Sequence, residues 1–150
     1  MTTPFVHFRV HSAFSLLEGA LSVGDIARLC KKGNMPAAAL MDTNNLFGAY
    51  AFSTACAKQG IQPIIGSQLA LLSPHDDSPR SGMSASQQPE THSLPLIARN
   101  EEGYKSLLSL SSQAYRRARQ NGGPACITWE DLDKHHQGLV ALTGGGKGVL

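Results

Sequence analysis

The residue types that could do chemistry are concentrated near the amino terminus, where His7, Arg9 and His11 alternate with apolar residues and Ser12 follows. A strand over residues 5–10 would place His7 and Arg9 on one face, in line with His11, because side chains alternate sides along a strand. In α/β proteins such side chains converge on the carboxyl edge of the sheet, where binding and catalytic sites lie. The spacing predicts a site at that edge, and the polar face of an ordinary surface strand is the competing interpretation.

The elements that would position this site follow in a regular order. Residues 22–33 have the capping and apolar spacing of a short helix, and the run PAAALM predicts a buried strand that ends before Asp42. A second helix is predicted over residues 48–58, and residues 61–72 contain two short strand-like runs broken at Gly66. This order is typical of βαβ units, so the sequence predicts an α/β fold with a parallel sheet.

The second half of the chain begins with a segment of different composition. Residues 73–93 are rich in Ser, Pro, Asp and Gln, which predicts a mobile surface loop that includes His75 and His92. Further elements are predicted after it: a strand over residues 94–98, a helix over 100–119, a short helix from Thr128 and a strand over 138–143. We expect residues 1–150 to be the amino-terminal portion of a single domain that is truncated at residue 150.

Composition excludes several classes of protein. Apolar residues make up 41% of the 150 residues, enough for a domain with a core, and the net charge of +2 indicates no strong nucleic-acid or membrane field. The amino terminus has no signal-peptide pattern, and no apolar run is long enough to span a membrane. Cys30, Cys56 and Cys126 lack metal-binding spacing. We therefore expect a cytoplasmic protein with reduced, buried thiols.

Three further signals have structural interpretations that we favour. Residues 143–148, TGGGKG, lack the spacing of a phosphate-binding loop. Arg116, Arg117 and Arg119 fall in the last turn of a predicted helix and match its dipole, with contact to a phosphate backbone as the alternative. Trp129, at the start of a predicted helix, is expected to pack against the sheet.

Several ordered blocks resemble a known family. FVHFRVHSAFSLLEGAL, AAALMDTNNLFGAYAF, GIQPIIGSQL, NEEGYKSLLSLSSQAY and GLVALTGG are similar to the PHP (polymerase and histidinol phosphatase) domain at the amino terminus of the bacterial DNA polymerase III alpha subunit. The resemblance covers nearly all of the chain outside residues 73–93. It implies the amino-terminal part of a distorted seven-stranded β/α barrel, whose active members bind a metal cluster and hydrolyse phosphoesters.

The same resemblance implies that the metal site is degenerate here. His7 lies beside the family's first metal motif, whose first ligand falls on Arg9, and a guanidinium has no lone pair to offer a cation. The ligand positions that keep usable chemistry are His11, Glu18 and Asp42, whereas Arg9, Thr43 and Gln68 do not. We therefore expect a vestigial site made of His7, Arg9, His11, Glu18, Asp42, Thr43 and Gln68, with no metal and no catalytic residue in this fragment.

The resemblance also implies a function and partners. The full protein would be a DNA-directed DNA polymerase that needs Mg²⁺ in a later domain, and that later part would make most of the DNA contacts. This segment would support the polymerase domain and offer a surface to the proofreading exonuclease subunit. Two alternatives stay open: a metal-dependent 3′-5′ exonuclease or phosphoesterase with an unusual ligand set, and a stand-alone partner-binding module.

Overall fold

The computed structural model describes residues 5–73 and 89–148. The predicted order of strands and helices is confirmed in these residues. The elements are β1 His7–Val10, α1 Val23–Lys32, β2 Ala37–Thr43, α2 Ala49–Gln59, β3 Gln62–Leu72, β4 Thr91–Ala98, α3 Glu101–Asn121, α4 Trp129–Lys134, β5 Leu139–Ala141 and a 3₁₀ turn over Gly145–Lys147.

The chain forms two compact units, Met1–Ser67 and Gln68–Leu150. In the first unit β1 and β2 are parallel, with His7 opposite Ala38, and helices α1 and α2 pack against each other. The core of this unit consists of Ile26, Ala27, Cys30, Ala38, Leu40, Phe52, Cys56 and Ile61, all buried. The predicted βαβ arrangement is therefore confirmed for this part of the chain.

Local capping explains why the helices of the first unit could be located from sequence. The side-chain oxygen of Ser22 accepts a hydrogen bond from the amide of Asp25 at 3.1 Å, which satisfies a free donor at the start of α1. Helix α2 ends at Gly60, whose φ of 69° lies in the left-handed region that glycine adopts without strain. These two signals depend only on neighbouring residues, so the sequence carries them directly.

In the second unit β5 is antiparallel to β4, which differs from the predicted parallel sheet. Leu96 lies opposite Ala141, and the amide of Arg99 donates to the carbonyl of Gly138 at 2.9 Å. The chain therefore returns to the carboxyl end of β4 before β5 begins, and β5 must run in the opposite direction. Helix α3 starts against this turn, since a Cβ at Gly103 would lie 2.0 Å from the oxygen of Gly138.

The sheet has five strands in the part of the chain that the structure describes. Neighbouring strands follow the order β1-β2-β3-β4-β5, and within residues 5–73 and 89–148 they form an open sheet, which is compatible with the amino-terminal part of a seven-stranded barrel. Strand β3 continues through Gly66, where a break was predicted, because that glycine adopts an extended backbone inside the strand.

The predicted loop over residues 73–93 is too long at its carboxyl end. Strand β4 begins at Thr91, so His92 belongs to a strand, and the amide of Ser73 donates to the carbonyl of Glu90 at 2.9 Å. The hydrogen bond between the backbones of Ser73 and Glu90 therefore gives a regular structure to residues whose polarity predicted a loop. Residues 74–88, which include His75, lie outside the described residues.

The three cysteines are free and buried, as predicted. Burial raises the pKa of Cys56 to about 11, and it also raises the pKa of Cys30. Both thiols stay protonated at neutral pH and are poor nucleophiles. Among the described helices, none is long and apolar enough to cross a membrane.

Helix α4 is attached to α3 through an ion pair. Arg117 Nη1 lies 2.6 Å from Asp131 Oδ2, and the carboxylate also accepts the amide hydrogen of Thr128 at 2.9 Å. Trp129, at the start of α4, is 45% exposed, so the expectation that it is buried against the sheet is wrong. It lines a groove of about 310 Å³ with Leu132, Asp133 and His136.

The same ion pair makes the stability of the fold depend on pH in the acidic range. Burial works to raise the pKa of Asp131, but the hydrogen bonds from Arg117 and Thr128 outweigh it and hold that pKa below its ordinary value. A carboxyl with a depressed folded pKa contributes stability above its unfolded pKa, near 4, and loses it as the pH falls through the folded value.

We expect Asp131→Asn to flatten the loss of stability below about pH 4. Arg117→Ala should lower the free energy of unfolding by roughly 1–2 kcal/mol at pH 7, because it leaves a partly buried carboxylate without its cation. Urea denaturation from pH 7 to pH 2.5 measures both effects. Arg116→Ala, which removes an exposed neighbouring charge, is the control and should change stability little; equal losses in the two arginine variants would contradict the prediction.

Candidate functional site

The parallel pairing of β1 and β2 brings the residues after each strand to the same edge. His11 and Ser12 follow β1, while Asp42 and Thr43 end β2. The connection from β1 to α1, residues 11–22, is held at this edge because Ser12 and Ser15 donate to Asp42. The loop is also closed on itself, since the amide of Gly19 donates to the carbonyl of Ser15 at 2.9 Å. The site predicted at the carboxyl edge is thus assembled from one loop and the end of one strand.

Asp42 is the centre of the site and is 1% exposed. Its Oδ1 accepts hydrogen bonds from the Ser12 amide and the Ser15 hydroxyl, each at 2.7 Å, and its Oδ2 accepts one from the Ser12 hydroxyl at 2.8 Å. Three donors therefore surround a buried carboxylate, which satisfies its charge by hydrogen bonding. The arrangement fixes the loop to the end of β2.

Ser15 also links the loop to β2, and the sequence interpretation missed it. Its hydroxyl donates to Asp42 and accepts the amide hydrogen of Thr43 at 3.0 Å. Ser15 lies three residues after Ser12, which was named from the sequence, and this spacing is the signal that could have pointed to Ser15. Ser15 was missed because its role depends on the conformation of the loop.

His11, Glu18 and Thr43 form a second polar group beside Asp42. The Thr43 hydroxyl donates to Glu18 Oε2, and His11 Nδ1 lies 3.6 Å from the same oxygen. That distance is too long for a hydrogen bond, and His11 Nδ1 is buried without a hydrogen-bond partner. One imidazole nitrogen and one carboxylate therefore face each other, and both are groups that can ligate a metal.

The remaining predicted site residues are His7, Arg9 and Gln68. His7 and Arg9 are exposed on β1, and the His7 ring contacts Phe5 edge to face, with ring centroids 4.7 Å apart. Gln68 is half-buried on β3 and belongs to the second unit. In residues 5–73 and 89–148, no three His, Cys, Asp or Glu side chains are grouped so that they could hold a metal ion.

Two further residues support the edge and were not predicted. Asn45 is 4% exposed; its amide donates to the carbonyls of Phe14 and Thr43, at 3.1 and 2.9 Å. The Ser67 hydroxyl donates to the carbonyl of Asp42 at 2.9 Å. Both residues hold backbone rather than reacting groups, so they stiffen the loop and the end of β2. An asparagine two residues after the end of a strand is the signal that could have identified the first.

Residues 143–148, the glycine-rich run, form a tight turn. The amide of Gly148 donates to the carbonyl of Gly145 at 2.8 Å, and a Cβ at Gly148 would lie 1.7 Å from the oxygen of Thr143. Close backbone approach therefore requires a glycine at Gly148.

Fold and site together define an α/β protein whose polar cluster lies at the carboxyl end of its first two strands. The sequence profile of the PHP domain matches residues 7–150, and the chain belongs to the PHP domain family.

Curated relatives extend over nearly the whole chain. DNA polymerase III subunit alpha of Caulobacter vibrioides is 39% identical over 146 residues, 97% of this chain and 12% of the relative. The Aquifex aeolicus protein of the same name is 35% identical over 151 residues, 99% of this chain and 13% of the relative. The chain therefore spans about an eighth of the length of these relatives.

A solved structure supports the fold. An amidohydrolase from Chromobacterium violaceum, with bound sulfate and no metal, superposes with a TM-score of 0.50 at 19% identity. The match covers 77% of this chain and 36% of that protein. At this level of identity the likeness concerns the fold alone.

Proposed function

We propose that the chain is the amino-terminal PHP segment of a bacterial replicative DNA polymerase, and that its PHP site is a degenerate metal site with a structural role. The observation that carries the proposal is the match to DNA polymerase III alpha subunits over 97% of this chain at 39% identity. Residues 1–150 would then be the first part of one PHP domain, and later residues would supply the strands that complete its barrel.

The donor set does not fit a metal cluster. Asp42 already accepts three hydrogen bonds and is closed to solvent, and the Thr43 hydroxyl is directed to Glu18. The Arg9 guanidinium has no lone pair to offer a cation. His11 and Glu18 supply two donors, fewer than the three or four protein ligands of zinc sites and the six or more oxygens that calcium takes.

The proposed role is therefore to support other parts of the replicative enzyme. The partners we propose are the polymerase domain of the same polypeptide, with its own Mg²⁺ and most of the DNA contacts, and the proofreading exonuclease subunit. The names of the relatives support these partners. The proposed location is the cytoplasm, because bacterial DNA replication takes place there. No membrane partner is proposed.

One observation favours a second function, a metal-dependent 3′-5′ exonuclease or phosphoesterase. His11 Nδ1 is buried without a hydrogen-bond partner and lies 3.6 Å from Glu18. A cation between them, completed by ligands from later residues, would satisfy both groups. The two functions differ in what His11 and Glu18 do, so variants of these residues separate them.

We expect the full-length polypeptide to extend a primed DNA template. With the polymerase domain inactivated and no exonuclease subunit present, it should not hydrolyse DNA 3′ ends or phosphomonoesters, with Mn²⁺ or with Zn²⁺. His11→Ala and Glu18→Gln should leave this background unchanged. Hydrolysis that both variants abolish would favour the phosphoesterase, and failure to extend primers would contradict the polymerase assignment.

A further inference from the structure

Five large apolar side chains are exposed at the carboxyl edge of β1 and β2. We call this surface the loop face; its residues are Phe14 at 45% exposure, Leu16 at 84%, Leu17 at 107%, Phe47 at 69% and Tyr50 at 84%. Leucines and aromatics this exposed, from two neighbouring segments, make a surface unlike the scattered apolar residues of an ordinary exterior.

The two segments that carry the loop face contact each other. The rings of Phe14 and Phe47 lie edge to face with centroids 6.4 Å apart, and the Asn45 amide holds the carbonyl of Phe14 at 3.1 Å. Close packing continues at Gly48, where a Cβ would lie 3.0 Å from Phe14. The loop and the start of α2 thus form one connected surface.

Leu17 is held in a conformation that leucine rarely adopts. Its φ is 65°, in the left-handed region, and the hydrogen bonds from Glu18 and Gly19 to the Ser15 carbonyl close the turn around it. Such a conformation is strained in a residue with a Cβ. The surrounding network enforces this strain, and its result is a leucine directed fully into solvent.

The loop face also carries no charge within its segments. Residues 12–17 and 46–57 contain no Asp, Glu, Lys or Arg. Permanent interfaces are more apolar than transient ones and resemble a domain core cut in half. This composition therefore favours a permanently covered surface over an intermittent docking site.

We infer that the loop face is covered by a later segment of the same polypeptide, beyond residue 150. The inference rests on the proposed function, in which this chain is the first part of a polymerase. The relatives support this occupant, because the 146 matched residues make up 12% of the Caulobacter vibrioides protein and most of that polypeptide lies outside the match. Segments of one polypeptide remain associated permanently, so a later segment can keep this apolar surface covered at all times.

Photo-cross-linking in the full-length polypeptide tests the inference. p-Benzoylphenylalanine replaces Tyr50 in one protein and Tyr115 in the other; Tyr115 is 47% exposed on α3, outside the loop face, and serves as the matched control. We expect the probe at Tyr50 to cross-link to peptides beyond residue 150 of its own chain, with at least fivefold the yield at Tyr115. Cross-links to a second copy or to another protein, or a yield equal to the control, would overturn the inference.

Leu17→Gly gives a second readout in the same full-length protein. Glycine adopts the left-handed conformation freely, so if Leu17 faces solvent the substitution should leave the melting temperature unchanged or raise it. If a later segment covers Leu17, the lost apolar contact should lower the melting temperature by a few degrees, and we expect this decrease. An unchanged or higher melting temperature would count against the inference.

Primer extension by the same preparations distinguishes failure of the covered loop face from failure of the polymerase assignment. A protein that extends primers without cross-linking beyond residue 150 overturns the covering of the loop face and leaves the proposed function in place. A protein that gives these cross-links without extending primers supports the covered face and contradicts the polymerase assignment.

Discussion

Asp42→Ala is expected to lower the free energy of unfolding of the PHP segment by roughly 2–4 kcal/mol. The carboxylate accepts hydrogen bonds from the Ser12 amide and from the hydroxyls of Ser12 and Ser15, and it is 1% exposed. Alanine leaves these donors without an acceptor where water does not reach them. Because the same bonds fix residues 11–22 to β2, amide exchange in this loop of the full-length protein should accelerate by roughly one and a half to three orders of magnitude, by the conversion of 1.4 kcal/mol per factor of ten.

Two variants control for the Asp42 result. Asp42→Asn should cost less, because the amide oxygen can still accept from Ser12 and Ser15 and its nitrogen can donate to the Ser12 hydroxyl. Asp133→Ala removes an exposed carboxylate and should stay within about 0.5 kcal/mol of the parent protein. Unchanged exchange in residues 11–22 of the Asp42→Ala protein would mean that the loop does not depend on this carboxylate.

Gly19→Ala is expected to destabilise the same loop by roughly 3 kcal/mol. A Cβ at this position would lie 2.1 Å from the Ser12 oxygen and 2.8 Å from the His11 oxygen. Both contacts are with backbone, so no side-chain rotation relieves them, and the turn that holds Ser15 against Asp42 has to open. Thermal denaturation of the full-length protein, with hydrogen exchange of residues 11–22, measures the effect.

Gly24→Ala is the matched control for Gly19→Ala. The Cβ it adds lies in the first turn of α1, where the nearest atom is 3.8 Å away. Alanine is the better helix former, so this variant should be neutral or slightly stabilising. If the two substitutions had equal effects, the close approach of Gly19 to Ser12 would not describe the protein in solution.

The helices could be predicted from sequence because their ends are defined locally. Ser22 and Gly60 carry their capping signals in their own types, and the predicted bounds agree with α1 and α2 to within about one residue. The strands were harder, because pairing is decided by residues distant in sequence. Gly66 was expected to interrupt β3, and His92 was assigned to a loop, since neither the neighbours of β3 nor the pairing beside Ser73 can be seen in the sequence.

The candidate site likewise contains residues that could be predicted from the sequence and contacts that could not. The sequence placed His11, Asp42 and Thr43 at one sheet edge, because a parallel pair of strands requires it. The partners of Asp42 could not be predicted, since Ser12 and Ser15 reach it only through a loop whose shape depends on Gly19 and on the left-handed Leu17. The exposure of Trp129 was missed for a related reason, because the contact of Arg117 with Asp131 decides which side of α4 is attached.

The most direct test of a metal-independent site is the zinc and manganese content of the full-length polypeptide, purified without chelator and measured by mass spectrometry. The wild type is compared with the double variant His11→Ala and Glu18→Ala, which removes both remaining donors. The account predicts substoichiometric metal that is equal in the two proteins, because Asp42 is already satisfied by serine. Stoichiometric zinc or manganese in the wild type that the double variant loses would contradict it.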